Sequence, residues 1–254
     1  MTLPSSNAPH PAPPAFDAVI LAAGASSRFF KSGGTMFKQV VPYKGVPIIR
    51  HLYDLLAGVP GIDQVHVVLG EQEDCAAAIR SVLPHEGVQF HINPDSARDN
   101  NLLSFRHGTE TLSKGALVLE ADCILGQNDF RKILANCGAE QICWANIGPI
   151  DSYDYGGVLE TNSAGKVISV DVLSAAQMTA FKAAGRTGLK LFGAAAFGAT
   201  ALQVYRRQLA AKDDPYNQYF HTIATEAPGL FDLRTVEMSP GSFSFNVVSE
   251  FENA

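Results

Sequence analysis

Six consecutive apolar residues, Ala18-Val-Ile-Leu-Ala-Ala23, run straight into Gly24 and the small polar residues Ser26 and Ser27. A run that short and that apolar reads as a strand buried on both faces, and a glycine directly after it opens a tight turn. Consecutive backbone N–H groups in such a turn form a concavity suited to an anion. Arg28, and Lys38 ten residues later, bring positive charge to the same unit. The two best-known glycine loops do not fit. A dinucleotide fingerprint needs further glycines where Ser26 and Ser27 stand, and no segment matches the Walker A pattern.

The remainder of the chain alternates strand-like and helix-like segments. Strands are expected at Ala18–Ala23, Val65–Leu69, Val88–Asn93, Ala116–Asp122 and Leu191–Phe197, with a final one at Ser242–Val248. Helices are expected at Gly45–Leu56, Asp74–Leu83, Asn101–Leu112 and Ala199–Leu209, and Tyr155–Val170 reads as a β-hairpin turning at Asn162–Gly165. This alternation predicts an α/β fold, a Rossmann-like three-layer sandwich with a mixed, mainly parallel sheet. At 254 residues and 46% apolar the chain is long enough to bury a full core. Residues 1–15, rich in proline, alanine and serine, read as a disordered tail, and residues 16–254 as a single domain. A net charge of −6 argues against a general nucleic-acid or membrane-surface binder. The four cysteines show no C-x-x-C or zinc spacing, and no apolar run approaches membrane-spanning length. A soluble cytoplasmic protein is the expectation.

The loop and its downstream lysine resemble the signature L-A-x-G-x-x-x-R…K of the nucleotidyltransferases that activate sugars and small alcohols as nucleotide derivatives. The resemblance implies that Arg28 and Lys38 are catalytic cations. It also implies that Leu21, Ala22, Ala23, Gly24, Ala25, Ser26 and Ser27 cradle the nucleotide, and that Gly70 lets the base approach the backbone. Asn93-Pro-Asp-Ser-Ala-Arg-Asp-Asn100-Asn-Leu-Leu-Ser104 is similar to a segment of phosphocholine and phosphonate cytidylyltransferases, which makes Asn100 and Ser104 nucleotide or acceptor contacts. Asn100 or Asn101 is also the expected helix cap. Asp122, at the carboxyl end of an apolar strand, takes the place of the family's main Mg²⁺ ligand, and Asn246 that of a second. Glu120-Ala-Asp122 also evokes the D-x-D of nucleotide-sugar glycosyltransferases, which lack the loop.

The chemistry so implied is attack by a phosphate or phosphonate oxygen on the α-phosphorus of an NTP, with CTP favoured and pyrophosphate expelled. A phosphate monoester is largely dianionic at pH 7, its second pKa being about 6, so no general base is required. Cations, amides and Mg²⁺ meet the electrostatic demand. Tyr155, Lys190, Tyr219 and His221 are candidates for the acceptor side. A quaternary ammonium acceptor would call for an aromatic cage, drawn from Trp144, Tyr153, Tyr155, Phe192, Tyr216, Tyr219 and Phe220. In the segment Tyr216–His221, phosphocholine enzymes carry an aspartate where this chain has His221, which removes a charge suited to a cation. The expected partners are the NTP, a small phosphorylated or phosphonate acceptor (phosphocholine-like or aminoethylphosphonate-like) and, in a homodimer, a second copy of the chain. A sugar-1-phosphate or molybdopterin nucleotidyltransferase and a non-catalytic nucleotide-binding module stand as alternatives.

Overall fold

The computed structural model describes residues 15–226 and 229–253, so the expected tail lies, but for residue 15, outside the described residues. The chain opens with β1 (Phe16–Leu21) and the short helix α1 (Ser27–Lys31). A small ribbon, β2 (Pro42–Tyr43) and β3 (Val46–Pro47), then leads into α2 (Ile48–Ala57). β4 (Ile62–Gly70), α3 (Glu73–Val82), β5 (Val88–Asn93), α4 (Leu102–Thr109) and β6 (Gly115–Glu120) complete a run of alternating elements. Next come β7 (Cys123–Ile124), α5 (Gln127–Ala135), β8 (Gln141–Pro149) and the hairpin β9 (Gly156–Thr161) and β10 (Val167–Leu173). The chain continues through α6 (Ala175–Ala183), β11 (Gly188–Phe197), α7 (Ala199–Ala210), α8 (Ile223–Glu226), β12 (Asp232–Glu237), β13 (Phe243–Ser244) and α9 (Val248–Glu252).

The expected fold is the observed one. The main sheet runs β10-β9-β11-β6-β1-β4-β5, with β8 joined to β11 and β12 to β8. Its β6-β1-β4-β5 half is parallel, and the antiparallel β11 continues it on the other side. Every residue of β1 is buried because helices cover both faces. On one face Ile48, Leu52, Ile79, Phe130 and Ile133, from α2, α3 and α5, pack against Ile20 and Leu119. On the other, Leu102, Phe105, Leu202 and Tyr205, from α4 and α7, pack against Val19 and Val118. Burying side chains of this size contributes roughly 1.5–3 kcal/mol each.

The turn at Asn162–Gly165 forms as expected: Gly165 takes φ +74°, and Asn162 Oδ1 accepts from the N–H groups of Ala164 and Lys166, both at 3.0 Å. Two expected boundaries change. The helix expected from Gly45 starts at Ile48, because Gly45 has positive φ and Val46–Pro47 pairs with Pro42–Tyr43 as a ribbon. The strand expected at Ser242–Val248 contracts to Phe243–Ser244, since its partner β7 offers only Ile124 and Cys123. All four cysteines are buried thiols. Among the described residues no helix is long and apolar enough to cross a membrane.

At the edge of the parallel half remote from the strand tips, His66 Nδ1 lies 2.9 Å from His91 Nε2, and the rings stack. Burial, aided by the neighbouring His91, pushes the pKa of His66 down to about 4. In the unfolded chain the same imidazole titrates near 6.5. The unfolded state therefore takes up its proton first as the pH falls, and stability is lost from about pH 6.5 down to 4. Denaturant melts across that range should show a loss of about 3 kcal/mol that His66→Gln largely abolishes.

Candidate active site

β1 and β6 are adjacent and in register, Leu21 facing Glu120, so the loop after β1 and the residues after β6 emerge side by side. The Ala121 N–H donates to the Leu21 carbonyl at 3.2 Å and fixes that junction. Above it opens a cleft of about 680 Å³, walled by residues 21–29 (except Ala22), Lys38, Asn100, Asp122, Tyr155, Lys190 and Asn246 among others. This is the carboxyl edge of the parallel strands, where open α/β sheets place their ligands.

The loop is held by a residue that sequence reasoning overlooked. Gln39, 1% exposed, donates from Nε2 to the carbonyls of Ala22 at 3.2 Å and Gly24 at 2.7 Å. Its Oε1 accepts from the Ser26 hydroxyl at 3.0 Å, and Ser26 Oγ in turn accepts from the Lys38 N–H, also at 3.0 Å. Ser26 itself adopts φ +57°, a left-handed conformation uncommon outside glycine, from which α1 starts. Gln39 thus ties both sides of the loop to the segment that carries Lys38.

Lys38 and Asp122, 84 positions apart, form an ion pair between Nζ and Oδ2. Burial depresses the pKa of Lys38, and the charge of Asp122 more than reverses this, so the ammonium is held above its usual range. The second carboxylate oxygen, Oδ1, is buried and has no hydrogen-bond partner. Two residues earlier, burial and the charge of Asp122 push the Glu120 carboxyl up. Arg28 lies exposed on the cleft wall in α1. Asn246 reaches the same cleft because β13 pairs with β7 directly after Asp122, Ser244 facing Cys123.

The orphaned Asp122 oxygen and the amide oxygen of Asn246 are hard donors on one cleft, the type that Mg²⁺ takes. Among the described residues no group of three or more His, Cys, Asp or Glu side chains is placed to hold a metal. A hard cation here would complete its shell from phosphate and water, as Mg²⁺ commonly does.

The other expected site residues divide. Tyr155, Lys190, Tyr219 and His221 all line the cleft. Lys190 donates to the Tyr155 carbonyl at 3.0 Å, and burial lowers its pKa. Ala22 is a core residue whose carbonyl is occupied by Gln39, so it supports the loop without facing the cleft. Gly70 lies behind the loop, and its role is clearance: a Cβ there would come within 2.6 Å of the Ala23 carbonyl and 2.8 Å of Ser96 Oγ. Gly70→Ala should displace the loop and cost about 1–3 kcal/mol of stability, readable by calorimetry.

Ser104 and Asn100 reach the cleft with their polar groups already engaged. The Ser104 hydroxyl donates to Asp99 Oδ2 at 2.7 Å and accepts from Asn93 Nδ2 at 3.0 Å, while Asn100 donates to the Asn217 carbonyl at 2.6 Å. The expected cap on α4 also changes. Asp99, and neither Asn100 nor Asn101, accepts from the first-turn N–H groups of Leu103 and Ser104. Of the aromatics expected for a cage, Trp144, Phe192 and Phe220 are fully buried in the core, while Tyr155 and Tyr219 line the cleft.

The family follows from this arrangement together with the sequence. Residues 18–150 match the MobA-like NTP transferase domain, and the chain belongs to that family. Over 111 residues, 42% of this chain, it is 36% identical to a CMP-5'-(3-aminopropyl)phosphonate synthase of Streptomyces rubellomurinus (strain ATCC 31215). That stretch spans 17% of the relative's length. The fold is shared with the CTP:phosphocholine cytidylyltransferase of Streptococcus pneumoniae, at a TM-score of 0.71 and 17% identity over 94% of this chain and 97% of that one. It is shared equally with the inositol-1-phosphate CTP transferase of T. maritima, at 0.68 and 10% over 93% and 91%.

Proposed function

We propose that this protein is a Mg²⁺-dependent cytidylyltransferase that joins CMP from CTP to a small phosphonate or phosphate ester and releases pyrophosphate. One observation carries the reading: Lys38 and Asp122, from distant parts of the chain, meet at the mouth of the Gly24 loop in a single cleft. The preference for CTP and a phosphonate-type acceptor is supported by the relatives, whose names specify CMP or CTP chemistry.

In this reading the backbone from Ala23 to Ser27 receives the triphosphate, and the Arg28 guanidinium and the Lys38 ammonium neutralise it. Lys38 stands nearest the α-phosphate because it sits beside the loop and opposite Asp122. Asp122 and Asn246 would hold Mg²⁺, which supplies charge neutralisation and alignment of the phosphates. The acceptor's anionic oxygen forms a bond to the α-phosphorus while the bond to the bridging oxygen breaks and pyrophosphate leaves. No protein base is needed, because the attacking oxygen is already ionised. Lys190, half-buried on the far wall, orients the acceptor.

Pyrophosphate release should be measured with CTP, UTP, GTP and ATP against phosphonates, phosphocholine and sugar-1-phosphates. CTP with an alkylphosphonate or phosphocholine is the expected productive pair. Turnover confined to a sugar-1-phosphate, or to GTP with molybdopterin, would replace this reading with the corresponding alternative. Tight CTP binding without turnover on any acceptor would mark a binding module.

A further inference from the structure

Lys190 faces the cleft from β11, and its ammonium is held by a part of the protein that the transfer reading leaves unused. It donates to the Tyr155 carbonyl at 3.0 Å and lies 5.2 Å above the Tyr153 ring, within reach of a cation–π contact. Glu120 and Glu250 act on it only through space, without a bond. An ammonium carries three N–H groups, so one carbonyl and one ring face leave it donor capacity for a ligand. A glycine makes room for this placement. Gly156 takes φ +107°, and a Cβ there would come within 2.3 Å of Lys190 Nζ.

The segment that holds Lys190 is itself held from behind. A second lysine, Lys182 in the last turn of α6, donates to the Tyr153 carbonyl at 2.7 Å and to the Asp151 carbonyl at 3.0 Å. The two ammoniums thus take the carbonyls of residues 151, 153 and 155, every second one along the segment. Lys190, Tyr155 and Gly156 line the cleft, whereas Lys182 and Tyr153 stand outside its wall. A small core binds α6 to the same segment, Met178 and Phe181 packing with Ile150, Val158 and Leu173. Val158 pairs with Lys190 across β9 and β11, so this core sits beneath the lysine's own register.

We propose that Lys182 and Tyr153 are positioning residues for Lys190: by fixing the segment 151–155 they aim its ammonium at the anionic group of the acceptor. The inference rests on the nucleotidyl-transfer reading and extends it to two residues outside the cleft. Lys182 anchors the backbone, and Tyr153 supplies the ring face under the ammonium. Without that anchor the ring and the Tyr155 carbonyl lose their fixed places, and the acceptor must order the ammonium as it binds. The loss falls on the acceptor and spares the nucleotide, whose phosphates meet the Gly24 loop on the opposite wall.

The experiment measures KM for CTP and for the acceptor on which the wild type is most active, by pyrophosphate release. Lys182→Met should raise the acceptor KM by about five- to tenfold and leave that of CTP within about twofold. Lys182→Arg keeps donors for both carbonyls and should stay within about twofold of wild type. Tyr153→Phe keeps the ring and should do the same, whereas Tyr153→Leu should match Lys182→Met. Calorimetric titration with propylphosphonate should rank the same variants in the same order of Kd, without turnover. A merely structural lysine would lower Tm and leave the ratio of the two KM values unchanged, and that result overturns the proposal. Equal acceptor KM in the Met and Arg variants, or in the Leu and Phe variants, overturns it as well. Should wild type release no pyrophosphate with any acceptor, the transfer reading falls, and the propylphosphonate titration alone then decides the positioning role.

Discussion

Lys38→Met is expected to lower kcat for pyrophosphate release by roughly 10²–10³, the loss typical when one aligned charge-stabilising donor is removed. It should also destabilise the ligand-free protein, by about 2–4 kcal/mol, because Asp122, whose side chain is 6% exposed, is left as a buried charge without its partner. The two consequences separate in the double variant. Lys38→Met with Asp122→Asn removes both charges and should regain most of the stability, since a buried ion pair adds little over neutral groups of similar size. It should regain none of the activity, because on the proposed reading both residues act on the nucleotide. Steady-state kinetics and denaturant melts on the two single variants and the double one complete the cycle. Recovery of turnover in the double variant would show that Lys38 serves only to neutralise Asp122.

Gln39→Ala should cost about 2–4 kcal/mol, lowering Tm by roughly 5–15 °C in a chain of this size. The side chain satisfies the buried Ala22 carbonyl, the partly buried Gly24 carbonyl and the buried Ser26 hydroxyl at once, and alanine satisfies none of them. Gln39→Glu is the informative control. It matches the shape but presents an acceptor to the carbonyls of Ala22 and Gly24, so it should be at least as damaging as alanine. CTP affinity should fall about tenfold in both variants, because the loop must then be ordered at the expense of binding. A melt unchanged in Gln39→Glu would mean that the amide is not what secures the loop.

Much of the architecture could be read from the sequence because the parallel half is built from strands buried on both faces. Such strands appear as unbroken apolar runs, as at Ala18–Ala23 and Ala116–Leu119. β8 is as deeply buried, but glutamine opens it and Asn146 and Gly148 interrupt its apolar residues, so it carries a weaker signal. β12 alternates Asp232, Arg234 and Glu237 with apolar residues and becomes a strand only by pairing with β8. At the site, the charged positions were visible because each ends or follows a strand. Gln39 was not, since a glutamine becomes structural only when three distant polar atoms surround it. Asp99 was hidden by its neighbours, because Asn100 and Asn101 are equally good caps on paper and the loop geometry selected the aspartate.

The two walls of the cleft have different origins within the sheet. The Gly24 loop, Lys38 and Asp122 stand on or beside the parallel strands β1 and β6, inside the stretch matched by the family. Tyr155, Lys190 and Tyr219 belong to the antiparallel half and to the segment after α7, beyond residue 150 where that match ends. On the proposed reading most groups that would meet the nucleotide therefore lie before residue 150 and most that would meet the acceptor after it, with Asn246 crossing the divide. A chimera joined near residue 150 that keeps Asn246 and takes the rest of the second half from a relative is therefore expected to carry that relative's acceptor preference.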